Sequence, residues 1–262
     1  MTKLNIIIDG TWLFRACGGG KVLSGKTEKP DSTFSLNFDK LNNAILTHLK
    51  DSGVTCDGFR NLYISTSIFD IPADIRSWTN DDHEITIQQI EQLERGSHAR
   101  KKFIDNAIAA GYSDSAIFYP KVKRWTLKSL TDNRYQEKQV DASVVALLVR
   151  SAVENQTDYH AIITGDADIL PAIKVAYPEY TSNVVIVTTH PDELSAEHRQ
   201  SSFSLNNFNF AIEPFYIQDY VENIIHGNNV YKCSECNKVF VKPKPIAKSS
   251  RPYCTNCTVK RT

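Results

Sequence analysis

Residues 159–171 read YHAIITGDADILP. An apolar run that ends in Thr164 and Gly165 and passes straight into Asp166, Ala167 and Asp168 describes a buried strand with a sharp turn, which glycine permits, before a helix expected over 168–176. The same alternation extends in both directions. Strands are expected at 4–9, 60–66, 115–120, 159–164, 183–188 and 210–213, and helices at 36–51, 86–110, 140–154, 168–176, 193–201 and 217–225. Strand, helix, strand in repetition predicts an α/β fold whose mainly parallel sheet is covered on both faces. Residues 121–139 interrupt the pattern with Lys121, Lys123, Arg124, Trp125, Lys128 and Arg134, and suggest an extended hairpin or ribbon. No internal repeat is present.

In a parallel sheet, sites lie beyond the carboxyl ends of the strands. Four acids fall there or at a helix start: Asp9 after Ile6-Ile7-Ile8, Asp166 and Asp168 after the strand quoted above, and Asp141 at the opening of the helix that carries Val144, Val145, Leu147 and Leu148. Taken singly, each has a plain explanation: Asp168 as a helix cap, Asp141 as a dipole partner, Asp9 as a turn residue. Four carboxylates on one rim would repel one another unless cations neutralised them, and hard oxygen-liganded ions such as Mg²⁺ or Mn²⁺ are the expected partners. Such ions activate water and stabilise charge on a phosphodiester under in-line attack.

Residues 20–27, GKVLSGKT, match the phosphate-loop pattern G-x-x-x-x-G-K-[ST]. The flanks argue against a nucleotide site. The nearest strand candidate ends at Asp9, well short of Gly20, and Pro30 pushes Lys29 out of the helical region where a phosphate loop would begin its helix. The segment is instead expected to be a loop emerging from the strand that delivers Asp9, with Lys21 and Lys26 able to meet substrate phosphate.

The chain of 262 residues has no net charge, but the charge is unevenly spread. From Val230 onward there are eight basic residues and one acidic residue, a net +7, and residues 1–229 hold 22 basic and 29 acidic residues, a net −7. Four of the six cysteines lie in this basic segment, as Cys233, Cys236, Cys254 and Cys257, spaced C-x₂-C-x₁₇-C-x₂-C. That spacing predicts a four-thiolate zinc ribbon, too small to fold without its metal. Tyr231, Phe240 and Tyr253 are expected to form its core or to meet nucleic acid, and Lys242, Lys244, Lys248 and Arg251 to contact an anionic partner. Asn228 and Asn229 mark the expected boundary, giving a main domain over 1–227 and the ribbon over 228–262. The short apolar run at 4–8 suits neither a signal sequence nor a membrane span, and a cytoplasmic protein is expected.

Ile7-Ile8-Asp9-Gly10, then Lys138-Gln139-Val140-Asp141, then Thr164-Gly165-Asp166-Ala167-Asp168-Ile169-Leu170-Pro171 resemble the three signature blocks of NYN-domain proteins, a branch of the PIN-like nucleases. The resemblance spans roughly residues 3–215. It implies a PIN-like three-layer sandwich and metal-dependent hydrolysis of RNA. It also implies Mg²⁺ or Mn²⁺ on Asp9, Asp141, Asp166 and Asp168, with Thr164 orienting a ligand or water. The chain departs from the family at Trp12, where an asparagine is usual, and in a longer loop from Arg15 to Ser32. RNA is the expected substrate and single-stranded DNA an alternative one, with Lys123, Arg124 and Trp125 expected to meet phosphates and a base. A non-catalytic RNA-binding or adaptor protein working through the ribbon is the competing expectation.

Overall fold

The computed structural model describes residues 1–17, 36–81, 83–131, 139–177, 183–189, 210–227, 229–236, 239–242 and 244–259. The loop containing Lys21 and Lys26, the helix expected at 193–201, and Arg134, Lys138, His190, His198 and Lys238 lie outside the described residues. Six strands, β1 (Leu4–Asp9), β2 (Phe59–Ser67), β3 (Ile117–Phe118), β4 (Tyr159–Ile163), β5 (Val184–Thr188) and β6 (Phe215–Tyr216), form one sheet in the order β3-β2-β1-β4-β5-β6. All five pairings are parallel. Both β1 and β5 are buried along their whole length, as central strands of a sheet covered on both sides must be.

The chain steps outward from β1 to β2 and β3, then returns across β1 to build β4, β5 and β6, so the direction of travel reverses between β1 and β4. Right-handed crossovers then place helices on opposite faces in the two halves. Helices α1 (Gly10–Cys17), α2 (Phe38–Asp51) and, after the short α3 (Trp78–Asp81), the long α4 (Ile87–Ala109) cover one face through Leu13, Leu41, Ile45, Phe103 and Ile104. After α5 (Arg124–Thr131), helices α6 (Gln139–Glu154) and α7 (Leu170–Ala176) cover the other through Val140, Val144, Leu148 and Ile173. Strand alternation divides the residues accordingly: Ile6, Ile8, Ala161 and Ile163 pack on the first face, and Ile7, Ile162 and Ile186 on the second.

Local chemistry sets several element ends. Asn37 caps α2 by accepting from the Lys40 amide at 3.0 Å, and Thr86 with Gln89 forms a reciprocal capping box on α4. At the amino-terminal edge of the sheet, Asp158 accepts from the Lys3 amide at 3.0 Å, from Asn5 Nδ2 at 3.2 Å and from the Arg60 guanidinium. One buried carboxylate thereby ties together β1, β2 and the start of β4. Burial alone would raise its pKa, but the Arg60 and amide donors outweigh burial and hold it below the usual carboxylate range.

Two expectations are corrected. Residues 124–131 are helical, not part of a hairpin, because Leu127 on α5 and the preceding Val122 bury against Ile75, Ile85, Ile90 and Leu93 in a separate small core. The last strand lies at 215–216 and not at 210–213, because Pro214 has no N–H to enter a ladder and pairing with β5 begins only after it. Among the described residues no helix is long and apolar enough to cross a membrane.

The C-terminal segment carries an antiparallel pair, β7 (Val230–Lys232) and β8 (Val239–Val241), followed by the short helix Thr255–Val259. Val230 and Val241 pack against the main core, and Lys40 Nζ donates to the carbonyls of Ile225 and Gly227 at 3.1 and 3.2 Å. Through Val230 and Val241 the segment packs on the main core and is not connected only through a chain linker.

Candidate metal centre

The reversal between β1 and β4 opens a crevice beyond their carboxyl ends, where ligands of such sheets collect. Alternation decides which side chains enter it. Ile7 faces α6, so Asp9 two residues later faces α6 as well, and the same count brings Thr164 from β4 to that side after Ile162. On β2, Ser65 pairs with Asp9 in register and its hydroxyl donates to the Val140 carbonyl at 3.2 Å. That bond holds the first turn of α6 over the strand ends and with it Asp141. Ser65 was missed by sequence reasoning. The available signal was three consecutive hydroxyl residues, Ser65, Thr66 and Ser67, directly after Leu62-Tyr63-Ile64 at the end of the strand, all three of them buried.

Carboxylate oxygens of Asp9, Asp141 and Asp166 lie within 4.8 Å of one another. Asp9 is 2% exposed, and the other two are partly open to solvent, so the group has one dry side and one wet side. A hydrogen-bonded chain fixes it in place. The Asp168 amide donates to Asp166 Oδ1 at 3.0 Å, the Asp166 amide to Thr164 Oγ1 at 3.1 Å, and the Thr164 hydroxyl to Asp9 Oδ2 at 3.1 Å. The other Asp9 oxygen accepts from the Trp12 amide at 2.9 Å, so Asp9 also caps α1, which follows β1 with no intervening loop.

Burial raises the Asp9 pKa from 3.8 to about 6; the Trp12 amide and the Thr164 hydroxyl pull it down, and the charges of Asp141 and Asp166 push it up. A cation among the three carboxylates would reverse the electrostatic contribution. The donor set consists entirely of carboxylate oxygen, which suits Mg²⁺ or Mn²⁺ and not a thiophilic metal. Asp168 is placed outside this cluster. It is exposed on a 3₁₀ turn, Ala167–Ile169, and serves the site through its backbone amide.

Two glycines allow the close packing. A Cβ on Gly10 would meet Thr66 Cβ at 2.8 Å and the Ser65 carbonyl oxygen at 2.9 Å, so α1 can leave β1 at this angle only with glycine there. A Cβ on Gly165 would collide with the Trp12 indole at Nε1. The Trp12 indole thus covers the turn between Thr164 and Asp166, at the position where the resembled family has asparagine.

The second site is the set of four cysteines. Sulfurs of Cys233, Cys236, Cys254 and Cys257 lie within 4.8 Å of one another, with 3.6 Å between Cys236 and Cys254. Cys233 is buried, which alone would raise its pKa, yet the amides of Cys236, Cys254 and Glu235 bring it down to about 6. Burial and the neighbouring sulfurs push the Cys257 thiol up. Metal-free, the four sulfurs cannot all ionise; with a divalent ion they can, and the group can hold a structural metal such as zinc. Phe240 is buried beside the cysteines with Tyr231 and Tyr253 packed around it, so these aromatics form the core of the segment. Lys244, Lys248 and Arg251 are exposed, and Lys242 Nζ lies 5.8 Å from the Phe240 ring centroid.

In the basic stretch around α5, Arg124 pairs with Asp81 at 2.8 Å and lies over the Trp78 ring, and Lys128 pairs with Glu84 at 2.5 Å. Asp81 and Glu84 therefore answer these cations. Comparison with models of protein families, with curated proteins and with solved structures finds no match to this chain.

Proposed function

We propose that this chain is a metal-dependent nuclease that hydrolyses phosphodiester bonds in RNA. The observation that carries the proposal is the meeting of Asp9, Asp141 and Asp166, from three distant parts of the sequence, within 4.8 Å at the switch point of a parallel sheet. The resemblance of the three sequence blocks to NYN-domain nucleases supports the same activity. These three carboxylates would hold Mg²⁺ or Mn²⁺, which supplies Lewis acidity and lowers the pKa of bound water.

The chain's own residues set the geometry. The Thr164 hydroxyl and Trp12 amide fix both oxygens of Asp9, and the Asp168 amide fixes one oxygen of Asp166, so the carboxylates are oriented before any ion arrives. The partly open side of Asp141 and Asp166 leaves access for a phosphodiester. Zinc is the ion that best fits the four cysteines, as a structural metal, and the exposed Lys244, Lys248 and Arg251 beside it would grip substrate phosphates.

The test is cleavage of labelled RNA by the wild type and Asp166→Asn, with magnesium or manganese supplied or omitted. The expected result is cleavage that needs the ion and is lost in the variant with no change in circular dichroism. Undiminished cleavage by Asp166→Asn would overturn the proposal.

A further inference from the structure

Trp12 meets the carboxylate centre at two points. Its backbone amide donates to Asp9 Oδ1 at 2.9 Å, and its indole lies against Gly165, the residue between Thr164 and Asp166. Nε1, Cε2 and Cζ2 are the atoms nearest the place that a Cβ on Gly165 would take, so the edge of the ring that carries the N–H is turned toward the strand end that bears the site. The residue packs in part on the main core and stays in part open to solvent.

An indole N–H is a donor with no acceptor capacity, and once drawn out of bulk water it usually finds a partner. Among the described residues the hydrogen bond of Trp12 is that of its amide, and no acceptor meets its indole. The nearest carboxylates are occupied by other donors. Asp9 accepts from the Trp12 amide and the Thr164 hydroxyl, and Asp166 Oδ1 accepts from the Asp168 amide. A phosphodiester reaching this centre brings non-bridging oxygens that carboxylates, as acceptors themselves, cannot bond. Those oxygens need cations or donors, and a donor with nothing else to bond stands at the rim.

We propose that the Trp12 indole N–H donates to a non-bridging oxygen of the phosphodiester bound at the carboxylate centre and so positions the scissile group. The inference rests on the nuclease proposal and adds a substrate contact to it. It assigns recognition at this point to the phosphate, not to a base stacked on the ring.

The test follows the indole proton itself. The chain has three tryptophans, Trp12, Trp78 and Trp125, so the full-length protein labelled at its indole nitrogens gives three N–H signals, of which Trp12→Phe removes one. Should that variant fail to fold, Trp78→Phe and Trp125→Phe assign the Trp12 signal by elimination. Dimethyl phosphate, a diester without a base, should move the Trp12 indole proton downfield when added with magnesium. Uridine, a base without a phosphate, should leave it in place. Trp12→Phe keeps an aromatic ring and the amide that Asp9 accepts from, so its magnesium affinity by calorimetry should be unchanged. Its kcat/KM on labelled RNA should fall by about ten- to 150-fold, the range that a hydrogen bond to a charged group supplies. No shift with dimethyl phosphate, or a Trp12→Phe protein that folds and cleaves like wild type, would overturn the contact. If Asp166→Asn is inactive in that case, the nuclease proposal stands without it. A dimethyl phosphate shift in a protein that cleaves no RNA would uphold the contact and remove the nuclease proposal.

Discussion

Asp9→Asn separates the cost of the buried carboxylate from its use. A carboxyl raised from 3.8 to about 6 makes ionisation cost the folded state on the order of 3 kcal/mol. Because the folded value lies above the unfolded one, the protonated form favours folding. That advantage is complete below 3.8 and is lost as pH rises through about 6. Asparagine has the same shape and no charge, but its single oxygen can accept from only one of the two donors, Trp12 N–H and Thr164 O–H, at a cost of roughly 1 kcal/mol.

At pH 8, with magnesium and manganese dialysed away, Asp9→Asn should therefore be about 2 kcal/mol more stable than wild type. That corresponds to roughly 4–8 °C in Tm for a chain of this size. At pH 4 the variant should be slightly less stable. Adding magnesium or manganese at pH 8 should raise the wild-type Tm and leave that of the variant unchanged, because only a protein that binds the ion gains from it. Calorimetry at the two pH values, with and without the ion, checks all three outcomes. An Asn variant destabilised equally at pH 4 and pH 8 would refute the claim that Asp9 is a strained charge awaiting a cation.

Gly165→Ala should lower both stability and cleavage, because its added Cβ would collide with the Trp12 indole and displace it. Overpacking of this kind costs about 1–3 kcal/mol, and Trp12→Ala in the same chain should recover most of the stability in denaturant titrations. Cys254→Ser should release the metal of the C-terminal segment, seen as zinc appearing in a chromogenic chelator assay, and unfold that segment with little effect on the melting of the sheet. Asp158→Asn should destabilise the fold by roughly 1–3 kcal/mol at neutral pH by leaving the Lys3 and Asn5 donors poorly matched. Since the Asp158 pKa is lowered in the fold, the difference from wild type should shrink as pH falls below the ordinary carboxylate range, which acid titration of stability would show.

The central strands and the three clustered acids were legible because both follow from backbone periodicity. A run such as Ile6-Ile7-Ile8-Asp9 fixes where the strand stops, and the count of two fixes which face the acid takes. Asp168 was grouped with them on proximity in sequence. A 3₁₀ turn advances about a third of a circle per residue, so a side chain two positions beyond Asp166 leaves the site even though its amide remains. Residues 121–131 misled for a different reason. They read as an extended hairpin or ribbon, but residues 124–131 are helical, and Arg124 and Lys128 pair with acids 43 and 44 positions earlier, which no local pattern can reveal. Trp12 read as a departure from the family pattern, and its contact with Gly165 depends on the pairing of β1 with β4.

The reversal of strand order also has a consequence for the timing of assembly. Asp9 is made 155 residues before Thr164, its hydrogen-bond partner in the site, and Asp166 follows later still. Until β4 inserts beside β1 at the middle of the sheet, Asp9 has neither the Thr164 hydroxyl that orients it nor the Asp166 carboxylate that would share an ion with it. An unfinished chain on the ribosome therefore holds no complete centre, however well its first half folds. The nuclease proposed above would therefore be made inert beside the messenger that encodes it, and become active only when the sheet closes.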